Sequence, residues 1–286
     1  MGVGYPRETR WDHVGKNNSY LENGKKRRKL ERERRLQIVK DDFFQDYSRK
    51  HVHFYDGEVP VLLRSGLVLA KKSVEKPRIV DLGCGDGRLI FALRKKGFLQ
   101  DVGEVFGVDI SEKRIGRVTK ELPFVKCVIS DALGVKELQR SSFDLVICSQ
   151  LIEHVENDHK LLFETRRLLR NNGLAYVSSV IKSAYAVYFY FMNGSFRLDP
   201  THFREYSSVA EFLSLLESEG FYIIGLKTCQ IMFPLMDLIM RLFVKIGLLN
   251  PNVRFYQQYS VLDKIRALQI PVIGYKNIEV LARKIE

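Results

Sequence analysis

Short apolar runs rich in β-branched residues recur along the chain from residue 78 onward, and most of them end in a polar or acidic residue. The first run is followed at once by the helical pattern of residues 89–93. This alternation predicts parallel strands joined by helices, so that the loops after the strands share one edge of a sheet. The first four strands are predicted at residues 78–82, 105–111, 127–132 and 143–149.

The second half of the chain continues with longer and less regular segments. Helical spacing over residues 161–169 ends at Asn171-Asn172-Gly173, which is a typical C-terminal cap signal. A fifth strand follows at residues 174–181, a helix at 208–218, and two further strands at 221–227 and 270–281. Residues 231–249 are apolar except for charges at every fourth position, so they predict a helix with one polar stripe. Two more helices are predicted within residues 41–72, before the first strand.

Composition is ordinary for a globular protein, with 45% apolar and 28% charged residues. The four cysteines form no Cys-x-x-Cys pair, which indicates a reducing, cytoplasmic setting without disulfides or zinc. The first thirty residues lack the apolar segment of a secretory signal, and the charges within residues 231–249 argue against a membrane span.

The formal net charge of +12 is unusual, and much of the excess lies near the N-terminus. Residues 1–24 predict a flexible arm, and residues 25–36 hold eight cations against two acids among strong helix formers. A solvated helix explains this composition, and contact with RNA phosphates or lipid headgroups is the alternative. We therefore assign residues 1–40 to a basic extension and residues 41–286 to the folded domain.

Three alternate glycines between the first strand and its helix predict a tight turn that a ligand can approach closely. Gly83, Gly85 and Gly87 carry no Cβ and tolerate positive φ angles. About twenty residues later Asp109 ends the second strand, where a carboxylate can accept hydrogen bonds from two ribose hydroxyls. A dinucleotide dehydrogenase is the rival interpretation, but its Gly-x-Gly-x-x-Gly spacing is one residue longer at the last interval.

The segments at 81–87, 109, 130–132 and 143–155 occur in the order of four motifs of the class I S-adenosylmethionine-dependent methyltransferases, and the chain resembles that family over roughly residues 50–228. The resemblance implies an α/β fold with a Rossmann-like seven-stranded mixed sheet, helices on both faces, an N-terminal helical extension and a helical substrate cap. It also implies S-adenosylmethionine as cofactor and S-adenosylhomocysteine as product. The implied cofactor-binding residues are Asp81, Gly83, Cys84, Gly85, Gly87, Asp109, Ile110, Ser130, Asp131, Ala132, Gln150 and Leu151.

The resemblance places Glu153, His154 and His202 at the catalytic edge. This pattern is similar to ubiquinone-biosynthesis O-methyltransferases and to small-RNA 2′-O-methyltransferases, and members of the latter group bind a divalent ion through two Glu and two His. Gln150 stands where the remaining Glu would be, and a neutral amide is a poorer ligand for a hard cation. We therefore assign no metal, and leave a divalent ion as the less favoured alternative.

Two insertions, near residues 182–206 and 229–268, are expected to build a substrate cap. The first is rich in aromatic residues, which suggests an acceptor with an apolar or planar part. The second predicts a lid or a homodimer contact, with peripheral membrane contact as a further alternative. The sequence favours O-methylation of a small or lipid-like acceptor. An RNA methyltransferase that uses the basic extension and a non-catalytic, partner-binding subunit are the alternatives.

Overall fold

The computed structural model describes residues 58–188, 190–192, 194–234 and 269–285. The basic extension and the first of the two helices predicted within residues 41–72 lie outside these ranges. Most of the second insertion also lies outside them. The predicted boundary at residue 40 and the predicted roles of these segments therefore stay predictions.

A seven-stranded mixed sheet organises the described residues, as predicted. Its parallel part holds β1 (Arg78–Leu82), β2 (Glu104–Asp109), β3 (Lys126–Ile129), β4 (Phe143–Ser149) and β5 (Leu169–Lys182). The order within this part is β3-β2-β1-β4-β5, so the chain reverses direction across the sheet between β1 and β4. Such a switch point opens a crevice at the carboxyl ends of the strands, where open α/β sheets bind ligands.

The strand β5 begins five residues earlier than its sequence pattern predicts. The preceding helix ends at Leu168, and Asn171 to Gly173 form an irregularity inside the strand pair rather than a helix cap. The register shifts there, because Leu169 pairs with Phe143 whereas Leu174 pairs with Leu145. Asn172 takes a φ of 62°, a left-handed conformation that asparagine tolerates better than most residues. The residues that predict a helix cap therefore form a bulge.

Two long antiparallel strands complete the sheet beyond β5. The strand β8 (Phe221–Pro234) pairs with β9 (Gln269–Lys284), and β9 pairs with β5. The sequence pattern predicts that residues 231–234 start a helix, but they continue β8, and Pro234 is aligned with Gln269. The prediction is wrong there because the partner strand extends equally far, which a periodic pattern within one segment cannot show.

Five α-helices of the described ranges cover the two faces of the sheet. They are α1 (Val61–Ser73), α2 (Arg88–Lys95), α3 (Glu112–Glu121), α4 (Asp158–Leu168) and α5 (Val209–Ser218). Apolar residues of α1, α2 and α3 pack in the core on one face, and those of α4 and α5 pack in the core on the other. None of the helices in the described ranges is long and apolar enough to cross a membrane.

The described part of the predicted cap is a β-hairpin rather than a helix. The strands β6 (Tyr190–Met192) and β7 (Ser195–Arg197) pair with each other and form a separate two-stranded sheet. Near this hairpin, the ring of Tyr188 contacts Tyr275 and Phe233, with centroids 6.1 and 6.3 Å apart. Tyr188 of the first insertion therefore joins a small apolar cluster with Phe233 of β8 and Tyr275 of β9, whereas Tyr185 and Phe191 are exposed.

Replacing the buried Phe143 tests whether the core between β4 and β2 carries stability. Its side chain has no exposed surface, and its ring packs edge-on against Phe106 with centroids 5.2 Å apart. We expect Phe143→Ala to lower the free energy of unfolding by about 3–5 kcal/mol, measured by denaturant titration. Phe124→Ala, at a position 39% exposed, is the control and should cost about 1 kcal/mol or less. Equal losses would contradict this view of the core.

Candidate functional site

The turn after β1 takes the shape that its glycines permit. Gly83, Gly85 and Gly87 all have positive φ angles, of 68°, 56° and 74°, and Gly87 is the residue that caps α2. A Cβ on Gly83 would lie 2.6 Å from the Leu151 side chain, so the turn and the loop after β4 are packed together. The predicted site residues Gly83 and Leu151 thus meet at the switch point of the sheet.

Asp109 holds this turn in place. Its two carboxylate oxygens accept hydrogen bonds from the backbone N–H groups of Gly85 and Ser111, at 2.9 and 2.8 Å, and the residue is 7% exposed. Its position at the open end of a strand would by itself predict little contribution to the fold. The structure corrects that expectation, since Asp109 links the β1 turn to the end of β2. Its neighbour Ile110 is 72% exposed and offers apolar surface beside the crevice.

Asp81 is a buried acid at the end of β1. Only 3% of the residue is exposed, and no hydrogen-bond donor of the described ranges contacts its carboxylate. Burial, and then the charge of Asp109, raise the pKa of Asp81 to about 8. A carboxyl group held in this state gains strongly from a cationic partner, because the ion pair offsets the cost of burying its charge. The site therefore suits a ligand with an ammonium group.

The third group of predicted residues lies at the end of β3. The backbone N–H of Ser130 donates to the carbonyl of Asp109 at 3.2 Å, which joins the ends of β3 and β2. Asp131 is exposed and accepts from the backbone of Leu133 at 2.9 Å, while Ala132 is buried. Cys84 is buried under the turn, and burial raises the pKa of its thiol, so it acts as a packing residue.

Gln150 takes a strained backbone conformation at the end of β4, with a φ of 51°. Its backbone N–H donates to the carbonyl of Ser178 at 3.1 Å, and its side-chain amide contacts Asn277 at 2.8 Å. With the amide oxygen and nitrogen exchanged, the nitrogen donates to Glu153 at 3.1 Å. Gln150 therefore connects β4, β5 and β9 at the crevice.

Glu153, His154 and His202 come together although almost fifty residues separate the first two from the third. The backbone carbonyl of Glu153 accepts from the N–H of Phe203 at 2.8 Å, and the two imidazole rings meet edge-on with centroids 4.7 Å apart. One ligand atom from each of the three residues lies within 4.8 Å of the other two. The donor set is one carboxylate and two imidazoles, which can hold a divalent transition-metal ion.

Burial is the main cause of the shifted pKa values of Glu153 and His154. Glu153 has no exposed surface, its carboxylate accepts from the Ser179 hydroxyl at 3.0 Å, and burial raises its pKa to about 7. Burial, followed by repulsion from His202, lowers the pKa of His154 to about 4. His154 is thus neutral near pH 7, with its Nδ1 2.9 Å from the hydroxyl of Thr201.

Glu205 completes the group, and our sequence-based prediction missed it. Its carboxylate lies 2.9 Å from Nδ1 of His202 and also accepts from the backbone N–H of Leu198 at 2.7 Å. Although burial raises the pKa of Glu205, the hydrogen bond from His202 and others outweigh it, so the pKa is lowered. A carboxylate at Nδ1 leaves Nε2 of His202 as the free acceptor. The i, i+3 spacing of His202 and Glu205 was the signal available in the sequence.

Comparison with known proteins gives a consistent picture. Residues 80–177, about a third of the chain, match the family model described as a methyltransferase domain. The chain is 28% identical over 145 residues to a ubiquinone biosynthesis O-methyltransferase of Methylococcus capsulatus, covering 46% of this chain and 59% of that protein. A protein with the same description from Dechloromonas aromatica is 30% identical over 112 residues, covering 38% of this chain and 46% of that protein. The chain thus spans about half the length of the curated relatives it matches.

Solved structures share the fold at low sequence identity. The YcgJ protein of Bacillus subtilis has a TM-score of 0.52 and 17% identity, over 78% of this chain and 99% of that protein. The [4+2]-cyclase SpnF has a TM-score of 0.51 and 17% identity, over 82% of this chain and 86% of that protein. At these identities the likeness establishes the fold and leaves the reaction to be argued from the site.

The pH dependence of the unfolding free energy tests whether the Asp81 carboxyl is protonated in the folded protein. Its folded pKa of about 8 lies above the ordinary 3.8, so the buried acid costs stability progressively as pH rises through this window. We expect the unfolding free energy of Asp81→Asn minus that of wild type to grow between pH 5 and 8, by up to about 1.4 kcal/mol per pH unit. The exposed Asp101→Asn is the control. A difference that stays flat with pH would show that Asp81 is ionised in the free protein.

Proposed function

We propose that this chain, whose residues 80–177 match the methyltransferase-domain family model, transfers a methyl group from S-adenosylmethionine to an oxygen of a small or lipid-like acceptor. The observation that carries the proposal is the pairing of a glycine turn, held open by Asp109, with a buried acid that lacks a cationic partner in the described ranges. That combination fits a ligand that carries an ammonium, a carboxylate and a ribose.

Different residues of the crevice would bind different parts of the cofactor. Asp81 would accept from the ammonium, and the N–H groups at the start of α2 would face the carboxylate. Asp109 would accept from the ribose hydroxyls with the lone pairs that its backbone bonds leave free. Asp131, with Ile110 and Ala132, would contact the adenine end, and Gln150 and Leu151 would lie nearest the sulfonium. When bound, the cofactor supplies an electrophilic methyl group.

His202 is our choice for the residue that accepts the proton of the acceptor hydroxyl. The contact from Glu205 at Nδ1 orients the imidazole, so that Nε2 would be the atom that faces the acceptor hydroxyl and takes its proton. His154 and Glu153 flank it and would position the hydroxyl. Because methyl transfer needs an in-line approach, holding the acceptor rigidly contributes at least as much as the base.

An apolar acceptor is supported by the aromatic cluster of Tyr188, Phe233 and Tyr275, which adjoins Glu205. The hydroxyl of Tyr275 lies 3.4 Å from Glu205, while its ring contacts Tyr188. The hydroxyl of Tyr275 therefore contacts the polar residues around Glu205, and its ring contacts the aromatic cluster. A planar ring or a hydrocarbon chain fits such a boundary, in keeping with the ubiquinone-biosynthesis relatives.

A metal ion is not required by this proposal, although Glu153, His154 and His202 fit one chemically. The carboxylate of Glu153 is already engaged by Ser179, and Gln150 offers only an amide where a second carboxylate would strengthen the site. Methyl transfer after treatment with a chelator, with and without added Mg²⁺ or Zn²⁺, separates the two cases.

Several aspects of the biology follow only as proposals. Four free cysteines suit a reducing cytoplasm. Homodimer formation, peripheral membrane contact and the RNA alternative all depend on segments outside the described residues. A non-catalytic, partner-binding role is disfavoured by the intact crevice, since such a role gives no reason to retain the buried acid.

Calorimetric titration with S-adenosylmethionine and S-adenosylhomocysteine is the direct test of the crevice. We expect micromolar binding by wild type and at least about tenfold weaker binding by Asp81→Asn, because the variant loses a charge-assisted contact to the ammonium. Asn has nearly the same size as Asp and needs no buried charge, so we expect Asp81→Asn to fold at least as stably as wild type, and loss of folding would not explain the result. Asp101→Asn is the control and should bind as wild type does. No binding by folded wild type would overturn the proposal.

The role of Glu205 is tested by comparing two His–carboxylate pairs. Glu205→Ala should lower kcat for a hydroxylated aromatic acceptor by about 10–100-fold and alter the ¹⁵N shifts that report the tautomer of His202. Glu219→Ala removes a similar contact, 2.7 Å from the exposed His159, and should leave kcat unchanged. A raised KM with unchanged kcat and unchanged ¹⁵N shifts would contradict a positioning role.

A further inference from the structure

A second concave feature lies at the opposite edge of the sheet, at the amino ends of the parallel strands. It is a cavity of about 260 Å³ lined mainly by the end of α4, the start of β5 and the end of β9. Four of its lining residues are cations, namely Arg140, Arg166, Arg167 and Lys284. We call it the basal cavity. The proposed methyl transfer uses none of these residues.

Most of this positive charge has no counter-charge among the described residues. Arg167 is neutralised by Glu164, through contacts of 2.7 and 2.6 Å. Arg166 and Lys284 donate instead to neutral backbone carbonyls, those of Ile285 at 3.2 Å and Leu169 at 2.8 Å. In the part of the chain that the structure describes, no carboxylate lies within 4.0 Å of Arg140, Arg166 or Lys284. The described residues thus leave a net charge of about +3 around the cavity.

The protein holds these cations together at an electrostatic cost. Burial, followed by repulsion from Arg166 and Arg140, lowers the pKa of Lys284. Within the described ranges, Nε of Arg166 is buried without a hydrogen-bond partner, which is costly for a charged group. Gly220, with a φ of 79°, makes room for that side chain, because a Cβ there would lie 2.9 Å from Nε of Arg166. The backbone of a neighbouring element thus accommodates the guanidinium.

We propose that the basal cavity binds a multivalent phosphate anion, either free or as the phosphate end of a small ligand. A phosphate or pyrophosphate group matches the geometry of guanidinium donors and brings the two or more negative charges that the three remaining cations need. A single carboxylate would leave most of the positive charge in place. The volume suits a small molecule rather than a long polyanion. The site is independent of the proposed methyl transfer.

A substitution of the exposed Phe163 distinguishes a nucleotide from a free phosphate anion as the ligand of the basal cavity. Phe163 lines the cavity and is 54% exposed, so it offers a face to a planar group attached to the phosphates. If the ligand is a nucleotide, adenosine diphosphate binds more tightly than pyrophosphate, and Phe163→Ser abolishes that difference. If the ligand is the free anion, the two bind alike and Phe163→Ser changes neither. Both outcomes support the site.

The test is calorimetric titration of the full chain with pyrophosphate at constant ionic strength. We expect saturable binding of one equivalent, weakened at least about tenfold by Arg166→Gln and by Lys284→Gln. Lys160→Gln removes the same charge from an exposed position on α4 and should bind as wild type does. Thermal unfolding of each variant checks the fold, and pyrophosphate should raise the Tm of wild type but not of Arg166→Gln.

Three results would overturn the proposal. The first is an absence of saturable pyrophosphate binding by folded wild type. The second is an equal loss of binding in Lys160→Gln and Lys284→Gln, which would indicate general charge attraction. The third is single-stranded RNA binding, sensitive to Arg166→Gln, without pyrophosphate binding, which would assign the surface to nucleic acid. None of these results depends on binding of S-adenosylmethionine, so this test and that of the proposed function fail separately.

Discussion

The two hydrogen bonds that Asp109 accepts are the contact on which the crevice depends. Three glycines at positive φ do not fix the path of the turn by themselves, because glycine populates many backbone conformations in the unfolded chain and loses that freedom on folding. A carboxylate that accepts from the N–H of Gly85 and of Ser111 selects one path and ties it to the end of β2. With the turn fixed, the carboxylate of Asp81 is buried beneath it, and Leu151 closes the space over Gly83. One side chain thus shapes the turn and the proposed ribose site together.

A second set of contacts joins the loop after β4 to the segment around His202. The carbonyl of Glu153 accepts from Phe203, and Thr201 reaches His154. Glu205 then fixes His202 and contacts Tyr275 of β9. Buried polar groups need partners. Glu153, His154 and Glu205 find theirs in distant segments, whereas the partner of His202 is Glu205 in the same segment. Rigidity at the proposed reaction centre therefore comes from hydrogen bonds between loops rather than from apolar packing.

Ionisable groups of one kind lie together at each edge of the sheet, acids at the carboxyl edge and cations at the amino edge. At the carboxyl edge, Asp81 and Asp109 lie close together and suit a cationic group. At the amino edge, Arg140, Arg166 and Lys284 lie close together and suit an anion. In both places the protein keeps like charges near each other, which lowers its stability in the absence of a ligand. Such strain is more readily explained by binding than by folding.

Local patterns along the chain were enough to predict the sheet, the glycine turn and the acids at the strand ends, because these depend on periodicity and on residues that favour one backbone shape. The family resemblance, rather than these patterns, pointed to Glu153, His154 and His202. Which distant residues meet became visible only in the folded chain: Glu205 lies beside the hydroxyl of Tyr275, and Gln150 joins three strands. Folding also extended β8 through residues predicted as helix, turned Asn171 to Gly173 into a bulge, and brought four cations into one cavity. Each of these results depends on pairing between segments far apart in the chain, and a pattern within a single segment does not contain the position of its partner.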